Sequence, residues 1–308
     1  MSRHYFFAIK PLFAGLAALI FLQPAFSSAA ALKLTVVLSE QGGAYQEYSN
    51  ALGAQLANKN IVLSVIDADK PLPDSDLVIT AGMKAAITVA RSKPAAMLAV
   101  LIPKEGYSKL LLDSSAQLKG GASVISAIYL DQPLGRKLDL IAAVLPNVNS
   151  IAVLYSAPPK ELSALRTLVA ARKLELNERS VSSISELHAA LQSLLLRSDV
   201  LLALPDAEIY NTSTIRNILL ATYRSKIPLI GFSPAYVKAG ALCAVFSTPE
   251  QIAAQSSAII LQYAGTHALP AATYAKEFEI SVNEQVARSL GLNIKSASQL
   301  HSEIGSTP

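Results

Sequence analysis

From residue 32 onward, short unbroken apolar runs alternate with stretches in which apolar residues recur every three or four positions. The first pattern predicts buried β-strands and the second amphipathic helices. Strands are predicted at 34–38 (LTVVL), 61–66, 76–81, 97–102 and 124–129, and again at 150–155, 175–181, 199–204, 228–232, 242–246 and 277–282. Between them, Tyr48, Leu52 and Leu56 mark one face of a helix at 45–58, and a shorter helix occupies 83–91. Leu134, Leu138, Ile141 and Leu145 mark a helix that ends at Pro146, and further helices are predicted at 161–174 and 214–224. Ser183 with Glu186 reads as a capping box for a helix carrying Leu187, Leu191, Leu194 and Leu195. Thr248, Pro249 and Gln251 supply a cap, a proline at the first helical position and a glutamine three on from the cap. The face of that helix is Ile252, Ser256, Ile259, Ile260 and Tyr263, and Asn283 is placed to cap a final helix.

Continuously apolar strands alternating with helices imply parallel sheets covered on both faces. Some ten strands in one open twisted sheet would be unusually wide, so two smaller sheets are favoured. The expected class is α/β, with two doubly wound, Rossmann-like lobes. Ligands bind such sheets at the carboxyl ends of the strands, which here puts the ligand between the lobes.

The N-terminus changes the picture of where the protein works. Arg3 and Lys10 precede an apolar run at 11–26 and small residues at 27–31 (SSAAA), the pattern of a cleavable signal peptide over 1–31. The alternative, a membrane anchor, has to accommodate Pro24 in a run short for a span. An exported, periplasmic protein is therefore expected. The single cysteine, Cys243, lies in an apolar stretch (ALCAVF) and reads as a buried structural thiol. The net charge of +4 includes two positive charges in the leader, and no lysine/arginine cluster appears. Nucleic acid is not an expected partner.

Candidate chemistry points to binding rather than catalysis. His188, His267 and His301 are far apart, with no metal-ligand spacing. There is no Gly-x-Ser-x-Gly elbow, no P-loop and no Gly-x-Gly-x-x-Gly. Neither a cofactor nor a metal is expected.

The stretch 204–242 (LPDAEIYNTSTIRNILLATYRSKIPLIGFSPAYVKAGAL) places Pro-Asp after a strand, then a helix, then Ile-Pro with a short strand, then a small helix ending in Gly-Ala. With the tail 278–292 (FEISVNEQVARSLGL) and the βα units at 33–53 and 76–86, it resembles the ABC-transporter substrate-binding proteins of the tryptophan/tyrosine-binding type. The resemblance implies a type I periplasmic-binding fold with three crossovers and a hinge. One lobe would be 32–129 plus 248–268 and the other 130–247 plus 269–300, followed by a tail at 301–308. It also implies a monomer that takes a small ligand, an amino acid or small carboxylate, and hands it to a membrane permease. A sensor subunit serving a membrane signalling partner is the alternative, and a small exported hydrolase or isomerase a third. The segments PKEG (103–106), SAPPKE (156–161) and STPEQ (247–251) depart from the family's usual pattern.

Candidate ligand residues follow the predicted strands. Glu40, Gln41, Gly42 and Tyr45 follow the first strand, where two glycines permit close backbone approach and a helix start offers free amides. Gly82, Met83 and Lys84 follow the third; Gly allows the tight turn and Lys84 adds charge. Tyr129 and Asp131 sit at the first crossover, a stacking face and a partner for an ammonium, with helix capping the alternative for Asp131. Asp206, Tyr210 and Asn211 supply a carboxylate, a ring and an amide within six residues, although Asp206 and Asn211 also suit turn and helix caps. Phe232 and Ser233 end a strand that would wall the same cleft, unless Phe232 is simply core.

Overall fold

The computed structural model describes residues 1–2, 30–113 and 125–305. The expected leader lies almost wholly outside the described residues, at 3–29, as does Val124. Among the described residues no helix is long and apolar enough to cross a membrane.

In chain order the elements are β1 (Leu32–Leu38), α1 (Gly43–Leu56), β2 (Ile61–Asp67), β3 (Leu77–Ala81), α2 (Met83–Arg91), β4 (Met97–Ile102), α3 (Lys104–Asp113), β5 (Ile125–Tyr129) and α4 (Leu134–Val144). Then come β6 (Ser150–Tyr155), α5 (Leu162–Ala171), β7 (Glu175–Ser180), α6 (Ile184–Leu195), β8 (Val200–Leu202), α7 (Ile215–Arg224), β9 (Leu229–Gly231), α8 (Pro234–Ala239) and β10 (Cys243–Phe246). The chain closes with α9 (Pro249–Thr266), β11 (Thr273–Tyr274), β12 (Glu279–Val282), α10 (Glu284–Ser289) and α11 (Ala297–Gly305).

Two six-stranded sheets result, ordered β11-β5-β4-β3-β1-β2 and β12-β10-β9-β8-β6-β7. Each repeats the doubly wound order 2-1-3-4-5 with one short strand added at the edge. All pairings are parallel except β10 with β12. The unbroken apolar runs are the central strands: every residue of β3, β4, β5 and β6 is buried. By contrast β2, at a sheet edge, has no fully buried residue and leaves Val62 and Val65 exposed. In the first lobe Tyr48, Leu52 and Leu56 of α1 meet Ile252, Ile259, Ile260 and Tyr263 of α9 in one core. The matching core of the second lobe gathers Leu138 and Ile141 of α4 with Val153, Val200 and Val245.

Two of the helix starts singled out from the sequence are capped as expected. At α9, Thr248 Oγ1 accepts from the Gln251 amide at 3.3 Å while Gln251 Oε1 accepts from the Thr248 amide at 3.0 Å, a complete capping box. Asn283 caps α10 by accepting from the Val286 amide at 3.0 Å. The box expected at Ser183 does not form. Glu186 instead accepts from the amide and hydroxyl of Ser182, one residue earlier, at 3.2 and 2.8 Å.

The division of the chain differs from expectation in two places. Thr273 and Tyr274 pair with Ile128 and Tyr129, so the chain remains in the first lobe through β11 and crosses only after residue 274, not at 269. Of the expected tail, residues 301–305 form the end of α11, where Ile304 is buried in the second lobe's core, and 306–308 lie outside the described residues. The departing segment at 103–106 runs into a helix, α3, which begins at Lys104. Cys243 is fully buried, and burial pushes its thiol pKa far up, as an inert structural thiol requires.

Candidate ligand-binding cleft

The chain passes between the sheets three times, at 130–133, 247–248 and 275–278. These crossings are laced sideways. Gln132 Nε2 donates to Ser247 Oγ at 2.8 Å, and Ser247 Oγ donates to the Glu277 carbonyl at 2.6 Å. Arg136 donates to Gln132 Oε1 at 2.6 Å, with its guanidinium over the Phe278 ring.

Beside these crossings lies a cleft of about 520 Å³. The first lobe contributes Ala44 and Glu47 of α1, Leu101 and Pro103 at the end of β4, and Leu130 just beyond β5. The second contributes Pro205, Phe232, Ser233, Pro234, Val245 and Phe246, from the carboxyl ends of β8, β9 and β10. Asp131, Gln132, Lys137, Ser247, Thr248, Pro249 and Glu250 complete the lining. Its size suits an amino-acid-sized ligand, and apolar walls with few polar groups are the usual makeup of such sites. Leu101 has a φ of 54°, at a point where the β4–β5 register shifts between Val100 and Ile102. A bulge of this kind re-aims a residue, and left-handed backbone at leucine is costly enough to be uncommon. Phe232 is backed by Tyr236, ring centroids 4.4 Å apart, and by Tyr210 at 6.3 Å.

A smaller cavity of about 80 Å³ adjoins the cleft and shares Pro103, Asp131, Lys137 and Pro205 with it. Here the lobes are bridged: Lys104 of α3 donates to Glu161 Oε1, just before α5, at 2.6 Å, and Tyr274 Oη donates to the same oxygen at 2.7 Å. Burial opposes the charge on Lys104, but Glu161 and Tyr274 outweigh it and hold its pKa above the usual lysine value. Burial likewise opposes the Glu161 carboxylate, and Lys104 and Tyr274 overcome it to lower its pKa. Burial pushes the Tyr274 phenol up to about 12. Both partners of the ion pair remain about a third exposed, so a double-mutant cycle with Lys104→Met and Glu161→Gln is expected to give a coupling below about 1 kcal/mol. Because the glutamate's folded-state pKa is lowered, that coupling is fully present above pH 4.5 and fades as pH falls through the lowered value.

Of the residues singled out by sequence, Asp131, Phe232 and Ser233 line the cleft. Ser233 stands at the N-cap position of α8 without using its hydroxyl as a cap. Asp131 caps a different helix from its own: its Oδ2 accepts from the Lys104 amide at the start of α3, at 2.5 Å. The loops after β1 and β3 are closed on each other instead of facing the cleft. A Cβ on Gly82 would lie 2.5 Å from Ser39 Oγ and 2.7 Å from the Tyr45 ring. Gln41 donates to Asp67, Met83 packs against Gly106, and Glu40, Gly42 and Lys84 are exposed and do not line the cleft. Tyr129 is buried in a row of rings, 5.7 Å from Tyr107 and 5.2 Å from Tyr274, rather than offered for stacking.

The trio after β8 serves the lobe itself. Asp206 Oδ2 accepts from the Ser156 amide and hydroxyl at 2.6 and 2.9 Å, and its Oδ1 from the amides of Glu208 and Ile209 at 3.0 and 3.3 Å. Asn211 Oδ1 accepts from the amides of Ser213 and Thr214 and from the Ser213 hydroxyl, and its Nδ2 donates to Ala207 and Glu208 carbonyls. Tyr210 is core; among the described residues its buried hydroxyl has no hydrogen-bond partner. The sequence reading missed Glu47, Phe246, Glu250 and Lys137. Lys137 did carry a signal, a lysine on the apolar face marked by Leu134, Leu138 and Ile141. No group of His, Cys, Asp and Glu among the described residues could hold a metal ion.

Two doubly wound lobes, three crossings and a cleft beside them define the type I periplasmic-binding-protein fold. Solved structures share it. The L-tryptophan complex of an ABC domain from Streptococcus pneumonia is 17% identical, with a TM-score of 0.62 over 88% of this chain and 98% of that one. The ligand-free, open form of a substrate binding protein with adhesive properties from Clostridium difficile is 16% identical, with a TM-score of 0.68 over 86% of this chain and 96% of that one. The chain belongs to the ABC transporter substrate binding protein family, whose model matches residues 48–301. A tyrosine-binding protein of Clostridioides difficile is 23% identical over 262 residues, which cover 82% of this chain and 72% of that protein. The family consists of solute-binding proteins and not enzymes, in keeping with the motif-poor sequence.

Proposed function

We infer that this protein captures an amino acid or similar small carboxylate in the cleft between its lobes and delivers it, as a periplasmic monomer, to an ABC permease. The observation that carries the ligand class is the composition of the cleft. Phe232 and Phe246 offer apolar ring surface, while Lys137, Asp131, Glu47 and Glu250 offer charges of both signs around it. A zwitterion with an apolar side chain needs that combination. The tyrosine-binding relative and the tryptophan-bound neighbour support the same class.

The test is a melting-temperature screen of the purified protein against amino acids, aromatic acids, purines, sugars and small carboxylates. A ligand at 100 times its Kd adds about 2.7 kcal/mol of stability, a clear upward shift. A saturable shift with amino acids, without their consumption, is the expected result. Phe232→Ala is then expected to weaken binding by roughly 30-fold, the loss of an aromatic anchor from an apolar wall. A screen with no shift in any class would sink the receptor reading.

A further inference from the structure

Lys137 is only 5% exposed and lines both the cleft and the cavity beside it. Among the described residues its ammonium makes no hydrogen bond and no ion pair within contact distance. Two carboxylates act on it through space, Asp131 and Glu161, and both have their close partners elsewhere. Asp131 holds the Lys104 amide, and Glu161 holds Lys104 Nζ and Tyr274 Oη. Burial draws the lysine's pKa below its usual value. A buried cation without a contact partner destabilises a fold, so its place in a solvent-reachable cleft calls for an anion from outside the chain.

We propose, resting on the receptor reading above, that Lys137 is the residue that binds the ligand's carboxylate, so that an apolar amino acid enters carboxylate first with its side chain against Phe232 and Phe246. The charge balance of the cleft selects among anions. One buried lysine stands against Asp131, Glu47 and Glu250, with the two glutamates exposed where the ligand's ammonium would lie. That balance suits a zwitterion with a single negative charge and opposes a dianion such as a phosphate ester.

The experiment titrates the wild-type protein with apolar and aromatic L-amino acids, with the carboxamides of the same amino acids, and with phenyl phosphate, by calorimetry. The acids are expected to bind, the carboxamides to bind at least about 30-fold more weakly, and phenyl phosphate not to bind. Lys137→Met is expected to lose affinity for the acids to a similar degree, with an unliganded melting temperature equal to or above wild type, whereas Lys137→Arg retains part of the affinity. A lysine with a merely structural role would lower the melting temperature on replacement by methionine. Should Lys137→Met fail to fold, the acid-against-carboxamide comparison on the wild type and the Lys137→Arg titration still decide. Equal affinity for acids and carboxamides, undiminished affinity in Lys137→Met, or a preference for phenyl phosphate each overturns the assignment while leaving a receptor. A protein that answers only to sugars in the melting screen does the same. Silence across the whole screen overturns the receptor reading and this assignment together.

Discussion

Asp206→Ala is expected to cost about 3 kcal/mol of folding stability while leaving the ligand affinity of the folded protein within a few-fold of wild type. The carboxylate accepts four hydrogen bonds, two from Ser156 and one each from the Glu208 and Ile209 amides, and so clamps the loop after β6 to the loop after β8. Removing it strands several polar groups at once, and each stranded group near the interior costs on the order of 1–3 kcal/mol with strong overlap between neighbours. Asp206→Asn keeps one acceptor oxygen and should fall between. Denaturant unfolding measures the first quantity and calorimetry the second. A stable Asp206→Ala protein with collapsed affinity would return Asp206 to the ligand site.

A second large effect is expected at Gly82. Its φ of 92° and ψ of 167° lie where side-chain-bearing residues are essentially excluded, and a Cβ there would meet both Ser39 Oγ and the Tyr45 ring at under 3 Å. Gly82→Ala combines backbone strain with overpacking, for a loss of about 3 kcal/mol or more. In a domain of this size that is a fall on the order of 6 °C in Tm. Gly42→Ala is the internal control. Gly42 has a similar backbone, φ 84° and ψ −178°, but nothing lies within 4 Å of its would-be Cβ. Only the conformational part of the loss, about 1–2 kcal/mol, is expected there. Equal losses at the two glycines would remove Tyr45 and Ser39 from the explanation.

The fold was largely legible because its central strands are buried on both faces, and a strand such as 97–102 (MLAVLI) has no polar position to obscure it. The short edge strand β11 was not, since two residues, Thr273 and Tyr274, leave no period to read. Nor was α3 foreseen, with only Tyr107 and Leu110 buried over ten residues. For the site, strand ends were the right places to look, but sequence does not say which loops close on themselves. Asp206, Asn211 and Gly82 are distinctive because local geometry demands them, and that demand uses up what a ligand would need. Lys137 was passed over for the opposite reason. It lies within a helix, away from any strand end, and only the packing of α4 beneath the crossings turns an odd residue on an apolar face into a cleft residue.

The late position of α9 bears on how the chain completes itself. Its residues 249–266 cover the first sheet and pack on α1, some two hundred positions earlier, and β11 closes that sheet's edge only at 274. Five strands of the first lobe thus leave the ribosome, or emerge across a membrane, long before the helix that buries one of their faces. Contacts so distant along the chain are slow to form, and sheets left waiting for them are open to aggregation. The second lobe is in the same position until α10 and α11 arrive. Neither lobe's core is complete until residues between 249 and 304 are in place, so completion of both waits on that one stretch.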